Sequence, residues 1–187
     1  MRRVKLAWAS VAVIVASLVP WTVLEAATVE AMTLDEMAVR AEMVFVGRVT
    51  GTRAEWNTAR TQIYTHVTFE VERFIKGGAG ERQVIVRLWG GRVGGFTSVV
   101  PGTPQFASGE EVLLFCSGSR ARIPTVLGLS LGKFSIKRDS TGEAVLRRDI
   151  SGLVLENYRT DSRPVGTPPV RYRLSEVEAR IRTALDN

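Results

Sequence analysis

The sequence predicts an all-β domain, an antiparallel barrel preceded by a short helix and followed by a C-terminal helix. Three observations carry this expectation. From residue 43 onward apolar side chains recur at every second position, the period of a strand. Glycine- and proline-containing turn signals separate these runs at short, even spacing. A capping box stands on each side of the strand-rich part, Thr33 with Glu36 and Ser175 with Glu178.

The N-terminus reads as an export signal covering residues 1–27. Arg2, Arg3 and Lys5 make it cationic, and residues 6–24 form an apolar run broken only by Ser10, Ser17, Pro20 and Thr22. Two junctions end in alanine, Leu24-Glu25-Ala26 and Val29-Glu30-Ala31. Left uncleaved, the run is nearly long enough to anchor the chain in a bilayer. No cysteine lies near either junction, which excludes a lipidated start. The expected place of work is the periplasm or the cell exterior, with membrane contact only through this segment.

Beyond the leader, Leu34, Met37, Ala38 and Ala41 recur at helical spacing after the first capping box, giving a helix over 34–42. Residues 43–52 read as a buried strand with Gly47 at a bend. In 63–75, Ile63, Thr65, Val67, Phe69, Val71 and Ile75 share one face, and Tyr64, His66, Thr68, Glu70 and Glu72 share the other. A strand that long reaches roughly 40 Å, so it must coil and serve two neighbours. Glycines end it at 77–80. Residues 83–89 form the next strand, 90–95 a glycine-rich hairpin, 96–100 its return and 101–104 a loop. The apolar run 112–116 belongs in the core, and 122–127, 132–137 and 143–148 complete seven or eight strands, enough for a closed or partly open barrel. Residues 161–170, with three prolines, read as a linker. Val177, Ile181, Ala184 and Leu185 then form the stripe by which a terminal helix docks. The predicted division is leader 1–27, barrel 28–150, and linker with helix 151–187.

Composition bounds the function. A chain of 187 residues, 45% hydrophobic and 24% charged, suits one globular core behind a leader. The leader carries a net +2 of the formal +6, leaving about +4 spread along the rest, which gives nucleic acid no obvious footing. One cysteine and one histidine exclude an intrachain disulfide and leave too few ligands for an ordinary zinc site. No EF-hand loop appears. No metal or cofactor is expected.

Candidate chemistry is sparse. Gly128-Leu129-Ser130-Leu131-Gly132 matches the nucleophile-elbow pattern, but a strand follows it and the single histidine precedes it, so the match reads as accidental. The glycines at 90–95 lack the lysine and the helix of a phosphate cradle. Cys116 sits among Val112, Leu113, Leu114 and Phe115 as a small buried hydrophobe. Arg120, Arg122, Lys133, Lys137, Arg138, Arg147 and Arg148 fall on adjacent hairpins and could build a cationic patch or simply guard strand edges. His66, Glu70 and Glu72 could form a small acid–base patch. Together with Tyr64, Trp89 and Arg92 they make the candidate ligand-binding face.

The stretches Met32-Thr33-Leu34-Asp35-Glu36, residues 41–49, Ile63-Tyr64-Thr65, residues 69–72, Pro101-Gly102, residues 109–115 and Gly132-Lys133-Phe134 resemble a family of uncharacterised exported bacterial proteins. More distantly, the helix, the strand 41–49 and the run Val71-Glu72-Arg73-Phe74-Ile75-Lys76-Gly77 are similar to the netrin-like, OB-type barrel of tissue inhibitors of metalloproteinases. That resemblance implies an OB-like fold and hints at protein binding. Those inhibitors chelate a protease zinc through an N-terminal cysteine, which this chain lacks. The expected function is a non-catalytic exported binding module for a protein or envelope partner. The alternatives are an inhibitor or accessory factor of a secreted protease, and an enzyme with a carboxylate site around Glu70 and Glu72.

Overall fold

A computed structural model of the chain describes residues 27–118, 122–150, 152–156 and 172–186. Most of the leader and all of the linker-like stretch lie outside the described residues.

The capping box forms as expected. The Glu36 N–H donates to Thr33 Oγ1 at 3.2 Å, and Glu36 Oε2 accepts from the Thr33 N–H at 2.7 Å. This starts α1 (Leu34–Arg40), whose far end is closed by Lys76, with Nζ 2.8 Å from the carbonyls of both Ala38 and Val39. The chain then enters β2 (Met43–Trp56), turns through Asn57, and returns as β3 (Ile63–Lys76). β4 (Gln83–Trp89) follows, then a small hairpin of β5 (Gly91–Val93) and β6 (Phe96–Ser98). After the loop 99–110 come β7 (Glu111–Ser117), β8 (Thr125–Val126), a 3-10 turn (Leu129–Gly132), β9 (Lys133–Arg138) and β10 (Ala144–Arg147). Two short strands, β11 (Leu153–Glu156) and β12 (Tyr172–Arg173), precede α2 (Leu174–Asp186).

The main sheet is antiparallel throughout, in the order β12-β10-β9-β7-β2-β3-β4, with β8 attached to β7. The strand spacing allowed a closed or a partly open barrel; among the described residues the hydrogen-bonded ladder does not close. It curls, and β8 is brought back toward β4 by the Arg87 N–H to Pro124 C=O bond of 2.8 Å. The curl comes from β2, whose pairing with β3 slips at three places, between Val44 and Phe45, Val46 and Gly47, and Val49 and Gly51. Gly47 is where the sequence placed a bend. A Cβ there would stand 2.8 Å from the Glu70 carbonyl, closer than side chains tolerate.

The central strands bury both faces. Phe45, Val49, Val67, Phe69, Leu114 and Cys116 pack inside the curl, whereas Val44, Val46, Leu113 and Phe115 meet α1 and α2 on the other side. This explains why 112–116 is apolar at every position. It also shifts the phase of β3: Val67, Phe69 and Val71 face the inner core, but so does Phe74, and Ile75 turns to the helices. Strict alternation over 63–75 is therefore broken at its end.

Three strands were not anticipated. Ala27, assigned to the leader, opens β1 (Ala27–Glu30), which pairs in parallel with β11; β12 is the third. The strand expected at 43–52 runs on to Trp56, and that expected at 122–127 shrinks to Thr125–Val126. α2 begins at Leu174, which puts Ser175 inside the first turn instead of at the cap. Its partner Glu178 instead accepts from Arg73 Nε of β3 at 3.1 Å. The stripe is as predicted, with Val177 and Ile181 buried and Ala184 and Leu185 against the same core.

Candidate functional site

At the Trp56 end, β2 and β3 project beyond β7, and their inner face would lie bare. The hairpin β5–β6 folds over it: the Gly90 N–H donates to the Ile63 carbonyl at 3.0 Å, Thr65 Oγ1 donates to the Gly90 carbonyl at 2.8 Å, and Phe96 packs edge-on to Trp56 at 5.6 Å. Between this roof and the sheet lies a cavity of about 350 Å³, within the usual size range of small-molecule sites. Val67 and Leu88 line it beside the hydroxyls of Thr52 and Thr65. Trp89, Arg92, Thr97 and Ser98 come from the hairpin side, and Thr103, Gln105 and Phe106 from the following loop. Arg92 is the one ionisable side chain in that lining, and it forms no ion pair among the described residues. The Thr103 hydroxyl is buried without a hydrogen-bond partner.

The loop that supplies Thr103 is held from three sides. Gly102, at φ +75°, packs against Ala27 of β1 and Leu153 of β11, and its carbonyl accepts from the Ser130 N–H at 2.9 Å. Farther along, Lys133 Nζ lies 2.9 Å from Glu110, bonds the Gln105 carbonyl and stands 4.4 Å from the centre of the Phe106 ring. Glu110 also accepts from Ser135 and from the Ala107 N–H at 3.0 Å. Burial alone would raise the Glu110 pKa, but the bonds from Ser135, Lys133 and Ala107 outweigh it and hold the carboxyl below its ordinary value.

The six residues of the predicted face divide. Trp89 sits at the corner and touches both sides, and Arg92 lines the cavity. Tyr64 and His66 lie on the outer face of β3. Tyr64 meets the Trp89 ring at 5.1 Å with the planes tilted by 54° and lies under the Arg87 guanidinium at 4.8 Å, while His66 Nδ1 is 3.3 Å from Glu55. Glu70 and Glu72 are exposed farther along the strand, Glu72 paired with Arg73, and neither lines the cavity.

Other sequence candidates are placed as follows. Ser130 is buried in the 3-10 turn between β8 and β9, a strand–turn–strand setting without the helix that an elbow requires. Gly90 to Gly95 are hairpin residues, three of them at positive φ. Cys116 is fully buried, and burial pushes its thiol pKa up. The expected cationic patch is broken. Lys133 is engaged by Glu110, and Arg148 turns inward to the Leu131 carbonyl at 3.0 Å and the Phe134 ring at 4.4 Å, where burial lowers its pKa to about 10. Arg120 lies outside the described residues.

A second concavity of about 590 Å³ lies between α1 and α2, but its charged rim is already satisfied, Asp35 by Arg180 at 2.7 Å and Arg40 by Glu30 at 2.6 Å. Among the described residues no cluster of three metal-ligating side chains occurs, and no helix is long and apolar enough to cross a membrane.

The sequence signal for the cavity was weak but present. The stretch after the glycine hairpin carries Thr97, Ser98, Thr103 and Gln105 where a plain return strand would alternate with apolar residues. A scan of protein-family models finds none that matches this chain, and a search of curated proteins finds no match either.

Proposed function

We propose that this chain is an exported, non-catalytic binding module whose ligand site is the cavity under the β5–β6 hairpin. One observation carries the reading: a loop pinned by β1, by the 3-10 turn and by the Glu110–Lys133 network encloses space instead of collapsing onto the sheet. The lining has hydroxyls, an amide, aromatic rings and one guanidinium, but no carboxylate, histidine or cysteine to act as base or nucleophile. Export rests on the cationic, then apolar, leader. The curl of β7, β2, β3 and β4, with β8 returned toward β4, supports an OB-like architecture left open at this end.

The test uses the domain from residue 27 onward, isotope-labelled and exposed to the small-molecule extract of the cell envelope. Chemical-shift changes should gather at Thr65, Trp89, Arg92, Thr97 and Thr103. Binding that leaves all of these unmoved would remove the cavity from the proposal. Cell fractionation should place the protein beyond the inner membrane.

A further inference from the structure

We infer that the ligand of this cavity is a carboxylated sugar, an inference that rests on the cavity being the binding site. The lining presents hydroxyl or amide side chains over an apolar floor. Hydroxyls and amides both donate and accept, so they match the alternating donors and acceptors of a polyol. Phe106, part-exposed in the lining, offers apolar surface for the C–H face of a pyranose ring, with Val67 and Leu88 buried behind it. A purely apolar ligand would leave those hydroxyls desolvated and unpaired, which is costly. A cationic ligand would find no counter-charge, since the lining holds no acidic side chain. Arg92 remains, exposed and free of ion pairs among the described residues, with a fork that fits a carboxylate.

Free acidic sugars and the ends of acidic polysaccharides share this chemistry, and the probes below separate them.

The experiment titrates galacturonate, galactose, galactosamine and oligogalacturonate into the domain from residue 27 onward, followed by chemical shifts. Trp56 and Trp89, the two tryptophans beyond the leader, supply a fluorescence readout at the same end of the molecule. Galacturonate should bind about tenfold more tightly than galactose, the worth of one charge-assisted hydrogen bond. Galactosamine should bind least. Arg92→Gln should make galacturonate and galactose equal. Oligogalacturonate binding more tightly than the monomer assigns the ligand to a polymer; equal affinity assigns it to the free sugar. A preference for galactosamine, or an Arg92→Gln variant with unchanged selectivity, overturns the proposal. If sugars leave the cavity residues unmoved while non-sugar components of the envelope extract shift them, the ligand class fails and the cavity stands. If those residues respond to neither, both readings fail together.

Discussion

At the scale of single residues, the cavity is marked by side chains whose placement favours something other than stability. Thr103 holds a buried hydroxyl that nothing in the described protein receives. Thr103→Val keeps the shape and removes the orphan, so the free domain should gain about 1 kcal/mol, or about 3 °C in a thermal melt. A loss of stability would mean that the hydroxyl is already satisfied. Glu110 is the opposite case, a side chain only 11% exposed that anchors the cavity loop through Lys133, Ser135 and Ala107. Its folded pKa lies below the unfolded value, so its contribution is complete above that value and is lost as pH falls through the folded one. The wild type should therefore lose stability as pH falls below the ordinary carboxylate value of 4.5, and Glu110→Gln should remove that part of the slope while lowering stability at pH 7. Melting temperatures across this range decide it. The role of Glu110 could not be read from sequence, because its partners Lys133 and Ser135 stand 23 and 25 residues farther along the chain.

Among elements, the same capping motif had two fates. Thr33 caps α1, and Thr33→Ala should cost about 1 kcal/mol. Ser175, one residue inside α2, should tolerate alanine within about 0.5 kcal/mol. Docking of α2 can be apportioned in the same way. Ile181 is fully buried, and Ile181→Ala should cost about 2–5 kcal/mol. Arg180 pairs with Asp35, but both side chains are about half exposed, so Arg180→Ala should cost no more than about 1 kcal/mol. Urea denaturation of the four variants checks the ranking. These helices were legible because capping and apolar stripes are local signals. So were β3, β4 and β7, whose patterns follow from burial on one face or both. What escaped reading were β1, β11 and β12, strands of two to four residues set by distant partners. Of the candidate face, Trp89 and Arg92 belong to the cavity. Tyr64, His66, Glu70 and Glu72 share the outer side of β3, whereas the cavity opens on the inner side with Thr65 and Val67, because period two groups residues by side and does not say which side is roofed.

For the whole molecule, the organising fact is that one curled sheet separates two cores, with the helices on one side and the cavity at the open end of the other. The parallel ribbon β1–β11 joins distant parts of this arrangement. It brings Ala27 and Leu153 against Gly102 in the cavity loop, and it sets Glu30 beside Arg40 at the end of α1. The two candidate leader junctions therefore have different consequences. A chain beginning at Ala27 keeps the ribbon, whereas one beginning at Met32 loses all four register pairs with β11 and the Ala31 N–H bond to the Glu156 carbonyl. The shorter chain should still fold, since Met32 and the remaining core residues are retained. It should melt lower, by about 2–4 °C for each kcal/mol of lost contact. Its amide exchange should rise first at 99–106, where the loop has lost its outer support. Calorimetry and hydrogen exchange on chains starting at 27 and at 32 make the comparison. If the two have equal stability and equal protection in that loop, β1 is an ornament of the fold and the cavity does not depend on the N-terminus.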